Sequence, residues 1–134
     1  MIEFTVPGKP TGKGRPRVTR YGTYTPKATV EYERKVQECW RTQSGEVMPD
    51  GIPLAATITA YCPIPKSASK RQKAAQEGTC NVKKPDADNI AKAILDALNG
   101  LAYHDDSAVS KLTVRKINTN AAPRVEVIIE EETE

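Results

Sequence analysis

The stretch from Lys83 to Asp106 constrains this chain more than any other feature of its sequence. Two carboxylates, Asp86 and Asp88, lie two residues apart just after a proline, and a second acidic pair, Asp105 and Asp106, closes the stretch. The distance in sequence between the two pairs suits one helix and a return loop. We therefore expect the loop to fold the second pair back towards the first.

The residues between the acidic pairs have the periodicity of an amphipathic helix. The apolar residues recur at helical spacing along one face: Ile90, Ile94, Ala97, Leu98 and Leu101. Asp88 or Asn89 can cap the first turn, and Asn99-Gly100 can end the helix because both residue types adopt the left-handed conformation. Asp88, Lys92 and Asp96 fall on the opposite, polar face.

Clustered carboxylates with a neighbouring lysine are typical of metal-dependent phosphodiester cleavage. Mg²⁺ and Mn²⁺ are hard ions that prefer oxygen ligands, and they activate water and stabilise a leaving oxygen. Lys92 can steady a substrate phosphate. Without a metal, gathered carboxylates repel one another, so such a cluster is costly unless it is used.

Structural alternatives remain open for the same residues. Asp88 can be merely a cap, Lys92 and Asp96 a surface ion pair, and Asp105-Asp106 a polar turn. A calcium loop is excluded, because counting from Asp86 the sixth position is Ala91 instead of Gly, and the twelfth is not Glu.

Several segments together resemble the RusA family of Holliday junction resolvases. The central block carries Lys-Pro-Asp-Ala-Asp-Asn-Ile-x-Lys from Lys84 to Lys92, then Leu-Asp-Ala-Leu-Asn-Gly, then Asp-Asp before a strand-like run. The N-terminal segment from Phe4 to Arg17 is similar to the family's first strand and basic loop. The length of the chain also fits this family.

The resemblance implies a Mg²⁺-dependent homodimer that resolves four-way DNA junctions by paired symmetric nicks, in DNA recombination and repair. It implies three catalytic, metal-binding aspartates at Asp86, Asp88 and Asp106, with Lys92 as the essential lysine; Asp105 is the alternative third ligand. Mn²⁺ is expected to substitute for Mg²⁺. Two sites are what a symmetric junction requires.

Charge is distributed unevenly along the 134-residue chain, although its net charge is only +3. Basic residues dominate before Thr42 and between Tyr61 and Lys84, whereas acidic residues dominate from Pro85 onward. Basic regions beside an acidic centre suit a nuclease that attracts phosphates and retains metal, although a solvated surface without a partner is also compatible. We expect DNA-backbone contacts from Lys9, Lys13, Arg15, Arg17, Lys83 and Lys84.

The chain is expected to be one domain over residues 1–134, without a membrane span or signal peptide. Its three cysteines make neither a zinc motif nor a disulfide framework, which favours the cytoplasm, and the resemblance to the RusA family implies a bacterial or phage-infected cell. We expect an α+β fold, RusA-like and homodimeric, with a small mixed sheet of about four strands and two main helices.

The element order predicts strands over 2–6, 53–62, 108–117 and 124–130, and helices over 26–41 and 88–99. Residues 7–20 form a basic loop that we expect to order on DNA, with Tyr21 and Tyr24 available for stacking or for packing in a hairpin. Residues 63–80 form a basic flexible insertion in which 67–76 can be a short helix capped by Ser67, and residues 83–106 are the acidic catalytic segment. Trp40 should be buried, and the lone His104 is more often structural.

Two other functions remain as alternatives to a resolvase. One is a non-catalytic protein that binds DNA junctions, in which the aspartates serve only as caps and turns. The other is a metal-dependent nuclease that acts on RNA or on flaps.

Overall fold

A mixed four-stranded sheet forms the centre of the molecule in the computed structural model, which describes residues 1–133, with Arg17 through its backbone only. The strand order is β1-β6-β4-β5, where the strands are β1 (Ile2–Pro7), β4 (Leu54–Pro63), β5 (Val109–Thr119) and β6 (Arg124–Glu131). β6 is antiparallel to both β1 and β4, whereas β4 and β5 are parallel. A separate hairpin, β2 (Arg17–Thr19) with β3 (Gly22–Tyr24), projects from the basic loop.

Two helices cover one face of the sheet, and a third is short. They are α1 (Lys27–Gln43), α2 (Lys70–Gln76) and α3 (Ala87–Leu98). Alternate residues of β1, β4 and β6 are buried beneath α1 and α3, as the period of two in a half-covered sheet requires. Trp40 is buried as expected, and its indole Nε1 donates to the carbonyl of Glu46 at 3.0 Å. The predicted α+β class and the mixed four-stranded sheet are thus confirmed.

The segment from β4 through α3 to β5 is a crossover connection between parallel strands. The helix of such a unit runs antiparallel to its strands. The N-terminus of α3 therefore lies at the carboxyl ends of β4 and β5, and its C-terminus lies where β5 begins. This arrangement decides where each acidic pair is placed.

Several predicted boundaries differ from the structure at the element ends. α1 begins at Lys27, and Pro26 occupies its N-cap position without a side-chain bond. α2 is capped by Ser69 instead of Ser67, in a reciprocal capping box with Gln72, so the expected helix starts later. Leu101, which was expected in the buried stripe, is 40% exposed because it lies beyond the end of α3. The buried face of the helix includes Ala91 and Ala93 instead.

The basic segment of residues 63–80 is hydrogen-bonded to the end of β5 and to the turn that follows it. The Glu77 carboxylate accepts from the hydroxyl of Thr119 at 3.0 Å and from the backbone N–H of Asn120 at 2.6 Å. The Gly78 N–H donates to the carbonyl of Asn118 at 2.9 Å. The expected insertion is therefore a helix-containing segment that is tied to the sheet.

Candidate active site

Asp86 and Asp88 lie together at the N-terminus of α3, and both are exposed. Asp86, and neither Asp88 nor Asn89 as expected, occupies the N-cap position, and its carboxylate makes no capping hydrogen bond. Asp88 lies in the first turn. Carboxylates at this end of a helix are favoured by its dipole. Both groups therefore keep their oxygens available for a ligand.

Lys116 of β5 supports the turn that precedes these carboxylates. Its ammonium group donates to the carbonyl oxygens of Lys83 and of Pro85, the latter at 2.9 Å. The side chain of Asn81 completes the turn by accepting from the Lys83 N–H at 3.0 Å. Sequence reasoning missed Lys116, although a lysine in phase with the apolar Leu112 and Val114 was a signal that its side chain faces the helices.

The N-terminal loop supports the same segment from its other side. The Lys13 N–H donates to the carbonyl of Asn89 at 2.9 Å. Gly12 is packed so closely that a Cβ there would lie 3.0 Å from the Pro85 Cβ and 3.1 Å from the Asn89 Cβ. The backbone that carries the two carboxylates is therefore held between β5 and the N-terminal loop.

The Lys13 side chain bridges two helices. Its ammonium group lies 2.6 Å from a carboxylate oxygen of Glu33 on α1 and 3.2 Å from one of Asp96 on α3. Burial by itself would lower the pKa of Lys13, but the two carboxylates outweigh burial and raise it. We expected Lys13 to contact DNA. In the structure, its ammonium group instead forms ion pairs with two carboxylates of the protein.

Asp105 and Asp106 lie at the opposite end of α3 from the first acidic pair. The Asp106 N–H donates to the side-chain oxygen of Asn99, the C-cap residue of α3, at 2.9 Å. Because α3 spans twelve residues, about 18 Å of helix separates its two ends. The prediction that the loop folds the second pair back towards Asp86 is wrong, because in the parallel crossover β5 begins beside the C-terminus of α3, at the other end of the helix from Asp86.

The two residues of the second pair differ in their contacts. The Asp105 carboxylate accepts from the Ser107 hydroxyl at 2.5 Å, which lowers the pKa of that carboxyl. Asp106 begins the short 3₁₀ turn Asp106–Ala108 that leads into β5. Both residues lie near the buried Tyr103, whose pKa is raised by burial and by the charges of Asp106, Asp96 and Asp105.

Comparison with known proteins identifies the family. The sequence model of the family described as "Endodeoxyribonuclease RusA" matches residues 7–130 of this chain. This chain belongs to the RusA endodeoxyribonuclease family. It is also similar to the "Uncharacterized protein YqaN" of Bacillus subtilis (strain 168), with 38% identity over 97% of this chain and 96% of that protein. The match confirms the RusA resemblance, and with it a nuclease of a family that binds junction DNA.

The carboxylates predicted to bind a metal are brought together only in part within one chain. Within residues 1–133, no group of three or more His, Cys, Asp or Glu side chains lies close enough together to hold a metal ion. Asp86 and Asp88 fit a hard cation by their chemistry, because both carboxylates are exposed on the first turn of α3 and have no hydrogen-bond or ion-pair partner among the side chains that the structure describes. The third carboxylate does not join them within one chain.

Lysines surround a cleft beside Pro85, the residue that precedes Asp86. The cleft has a volume of about 380 Å³, and its walls include several prolines together with Lys9, Lys66, Lys83 and Lys84. Lys92 is exposed on α3, one turn beyond Asp88. The hairpin adds the exposed aromatic rings of Tyr21 and Tyr24.

Within residues 1–133, no helix has the length and apolarity needed to cross a membrane.

Proposed function

We propose that this protein is a Mg²⁺-dependent Holliday junction resolvase that acts as a homodimer in DNA recombination and repair. The observation that carries the proposal is the placement of Asp86 and Asp88 on the first turn of α3, exposed and uncommitted, beside a cleft rimmed by lysines. Family membership supports the nuclease activity. We also propose that the protein acts in the cytoplasm of a bacterial or phage-infected cell, as the RusA resemblance implies.

Each residue of the proposed site has a separate role. Asp86 and Asp88 would hold Mg²⁺ or Mn²⁺. Asp106, or Asp105 as its alternative, would supply the third carboxylate from the second copy in the proposed homodimer, because within one chain it lies at the opposite end of α3. Bound Mg²⁺ supplies an activated water and stabilisation of the leaving oxygen. Lys92 directs its positive charge at the scissile phosphate, since it lies one turn beyond Asp88.

The DNA backbone would be held by exposed cations on both sides of the acidic pair. Lys83 and Lys84 precede it in the sequence and line the cleft, and Lys9 lines the same cleft from the N-terminal loop. Arg15 is exposed, and Arg17 begins the hairpin strand β2. Such contacts position DNA without reading its sequence. Lys13 serves the protein instead, as a positioning residue.

The decisive experiment is cleavage of a synthetic mobile four-way junction in Mg²⁺, beside linear duplex, flap and RNA substrates. The wild-type protein should make paired symmetric nicks in the junction alone. Asp88→Asn should lower the rate by at least about 100-fold while junction binding persists, because a charged carboxylate ligand becomes a neutral amide. Glu3→Gln, which changes an exposed carboxylate on β1 at the opposite edge of the sheet from β5, is the control and should cut normally.

Two outcomes would overturn this proposal. Tight junction binding without nicks in either Mg²⁺ or Mn²⁺ would identify a non-catalytic junction-binding protein. Preferential cutting of flaps or RNA would establish the nuclease and reject the resolvase. Cutting by Asp88→Asn at the wild-type rate would remove that residue from the site.

A further inference from the structure

Two cavities beside the candidate active site join into one groove. The first is the lysine-rimmed cleft of about 380 Å³ next to Pro85, and the second has a volume of about 410 Å³. Their walls share Pro63, Pro65, Asn81 and Lys83. Side chains of α2 line the second cavity but not the first. The groove therefore runs from the turn before the acidic pair to α2.

The two ends of this groove differ in charge. The end beside Pro85 has four lysines in its walls and suits phosphates. Among the described residues that line the α2 end, Lys83 alone is charged, and the others carry amide, hydroxyl or apolar side chains. One of these is Val82, which is 91% exposed. Apolar surface with a few polar groups is typical of a site for an uncharged ring rather than for a phosphate.

Two glutamines of α2 present free polar groups to the groove. Gln72 and Gln76 both line it, and they lie one turn apart on the same face of the helix. Gln72 Oε1 accepts from the Ser69 N–H at 2.9 Å, which leaves the Nε2 group of Gln72 available as a donor. The side-chain amide of Gln76 is half-buried and forms no hydrogen bond within residues 1–133. Together they offer donors and an acceptor to a ligand.

The other amides of the groove fix its shape. Asn81 Nδ2 donates to Asn118 Oδ1 at 2.8 Å, and Asn118 Nδ2 donates to the hydroxyl of Thr79 at 3.1 Å. α2 is held by its capping box and by the bonds of Glu77 to the end of β5 and the following turn. A groove that is already formed spares a ligand part of the cost of ordering the protein.

The groove lies close to the bond that the acidic pair would cleave. Lys83 borders both cavities and precedes Asp86 by three residues, so their Cα atoms are at most about 11 Å apart. A DNA strand rises about 3.4 Å per nucleotide. A base bound beside Lys83 would therefore lie within about three nucleotides of a phosphate held at Asp86 and Asp88.

We propose that the α2 end of the groove binds one nucleobase of the junction near the scissile phosphate, with Gln72 and Gln76 bonded to its edge. The proposal rests on the proposed function for its DNA substrate. Glutamine amides recognise base edges through hydrogen bonds, whereas phosphate contacts carry no sequence information. A base that is unpaired where strands exchange pays less to leave the stack than a base inside a duplex. Cleavage should therefore depend on which base occupies one position near the cut.

The location of the bound base can be tested by cross-linking without Mg²⁺, so that cleavage plays no part. Gln76→Cys is combined with Cys80→Ser, which removes the exposed native thiol. The protein is mixed with four-way junctions that carry a thiol, tethered as a mixed disulfide, on one base at a time along each side of the branch point. Disulfide exchange should attach the protein at one or two neighbouring positions only, because a single groove holds the base.

Ala74→Cys in the same background is the matched control for this cross-link. Ala74 is exposed and lies on the face of α2 opposite Gln76, so its variant should not cross-link. Cross-linking at every position, equal cross-linking of the two variants, or cross-linking at no position would overturn the proposal.

The reading of the base is tested by cleavage of mobile junctions whose homologous core has a randomised sequence. The ends of the products are sequenced, and the wild-type protein should favour one base near the nick by about 10-fold over the least favoured. Gln76→Leu should reduce that ratio to about 2-fold or less, because its amide is lost. The ratio is measured within one reaction and does not depend on the overall rate. Ala74→Leu should keep the wild-type ratio, and a wild-type ratio in Gln76→Leu would refute the contact.

Gln72→Glu separates base reading from the stability of α2. Glutamate retains the acceptor that the capping box gives to the Ser69 N–H, and it replaces the free amide donor with an acceptor. The preference should shift towards a base that presents an amino group at this position. A preference identical to that of the wild-type protein would contradict the role of Gln72.

The outcomes separate this inference from the proposed function. A protein that cuts junctions with no base preference and no position-specific cross-link rejects the base site and retains the resolvase. A protein that never cuts, but cross-links at one position through Gln76→Cys, rejects the resolvase and retains the base site.

Discussion

Lys116 lies in β5, yet its ammonium group bonds to the backbone of the turn before α3. Because it donates to the carbonyls of Lys83 and Pro85, we expect it to position Asp86 through the backbone of this turn. Lys116→Met should lower the cleavage rate at saturating DNA by about 10- to 100-fold, since small displacements of reacting groups have effects of this size. Junction affinity should stay unchanged, as measured by titration with labelled DNA.

Two variants distinguish positioning from a general loss of positive charge. Lys111→Met removes an exposed lysine of the same strand and should leave the rate at saturating DNA unaltered. Lys116→Arg retains a donor and should recover part of the activity. If Lys116→Met weakened binding but not turnover, the residue would be a DNA contact instead.

At the same scale, Lys13 is expected to stabilise the fold through its two ion pairs. Lys13→Met should lower the free energy of unfolding by about 1–2 kcal/mol, between the values for exposed and buried pairs. Urea denaturation measures this difference, with the exposed Lys9→Met as the control.

The pH dependence of the Lys13 contribution has a definite sign. The pKa of Lys13 is raised above its ordinary value of 10.5 in the folded state. Its contribution is therefore fully present below pH 10.5 and is lost as the pH rises through the folded-state pKa. The stability difference between wild type and Lys13→Met should be constant from about pH 6 to 9. A difference that disappears within that range would contradict the ion-pair assignment.

At the scale of secondary-structure elements, α2 depends on its docking through Glu77. Glu77→Ala would remove the acceptor for the hydroxyl of the buried Thr119 and for the N–H of Asn120. Amide hydrogen exchange over residues 70–80 should accelerate while α3 keeps its protection, because the lost bonds join α2 to one turn. Glu31→Ala removes an exposed i,i+4 partner of Lys27 and should leave exchange in α2 unchanged. Equal acceleration in both variants would contradict the docking role.

At the scale of the whole molecule, DNA binding depends on where the positive charge lies. Arg15→Ala should weaken junction binding and reduce the magnitude of the slope of log K against log salt by about 0.9, the effect of one phosphate contact. Arg41→Ala, which removes an exposed cation paired with Glu38 near the end of α1, should leave the slope unchanged. Binding titrations between 50 and 200 mM salt measure both slopes. An unaltered slope for Arg15→Ala would exclude the N-terminal loop from the interface.

Local patterns in the sequence determined the elements and part of the site. The apolar spacing from Ile90 to Leu98 defines α3, and the alternation in β4 defines a central strand, because one covered face imposes each period. Asp86, Asp88 and Lys92 share the start of α3 for the same local reason. The motifs around these residues also indicated the RusA family, because they lie within one contiguous stretch of sequence.

Only the tertiary structure decided how distant segments meet. The parallel pairing of β4 with β5 places Asp106 at the far end of α3 from Asp86, and this placement depends on which distant strands pair and in which direction. The roles of Lys13 and Lys116 were hidden for a related reason. A lysine in a sequence is equally compatible with a phosphate contact and with an internal bond, and the choice depends on which carbonyls and carboxylates the fold brings within reach.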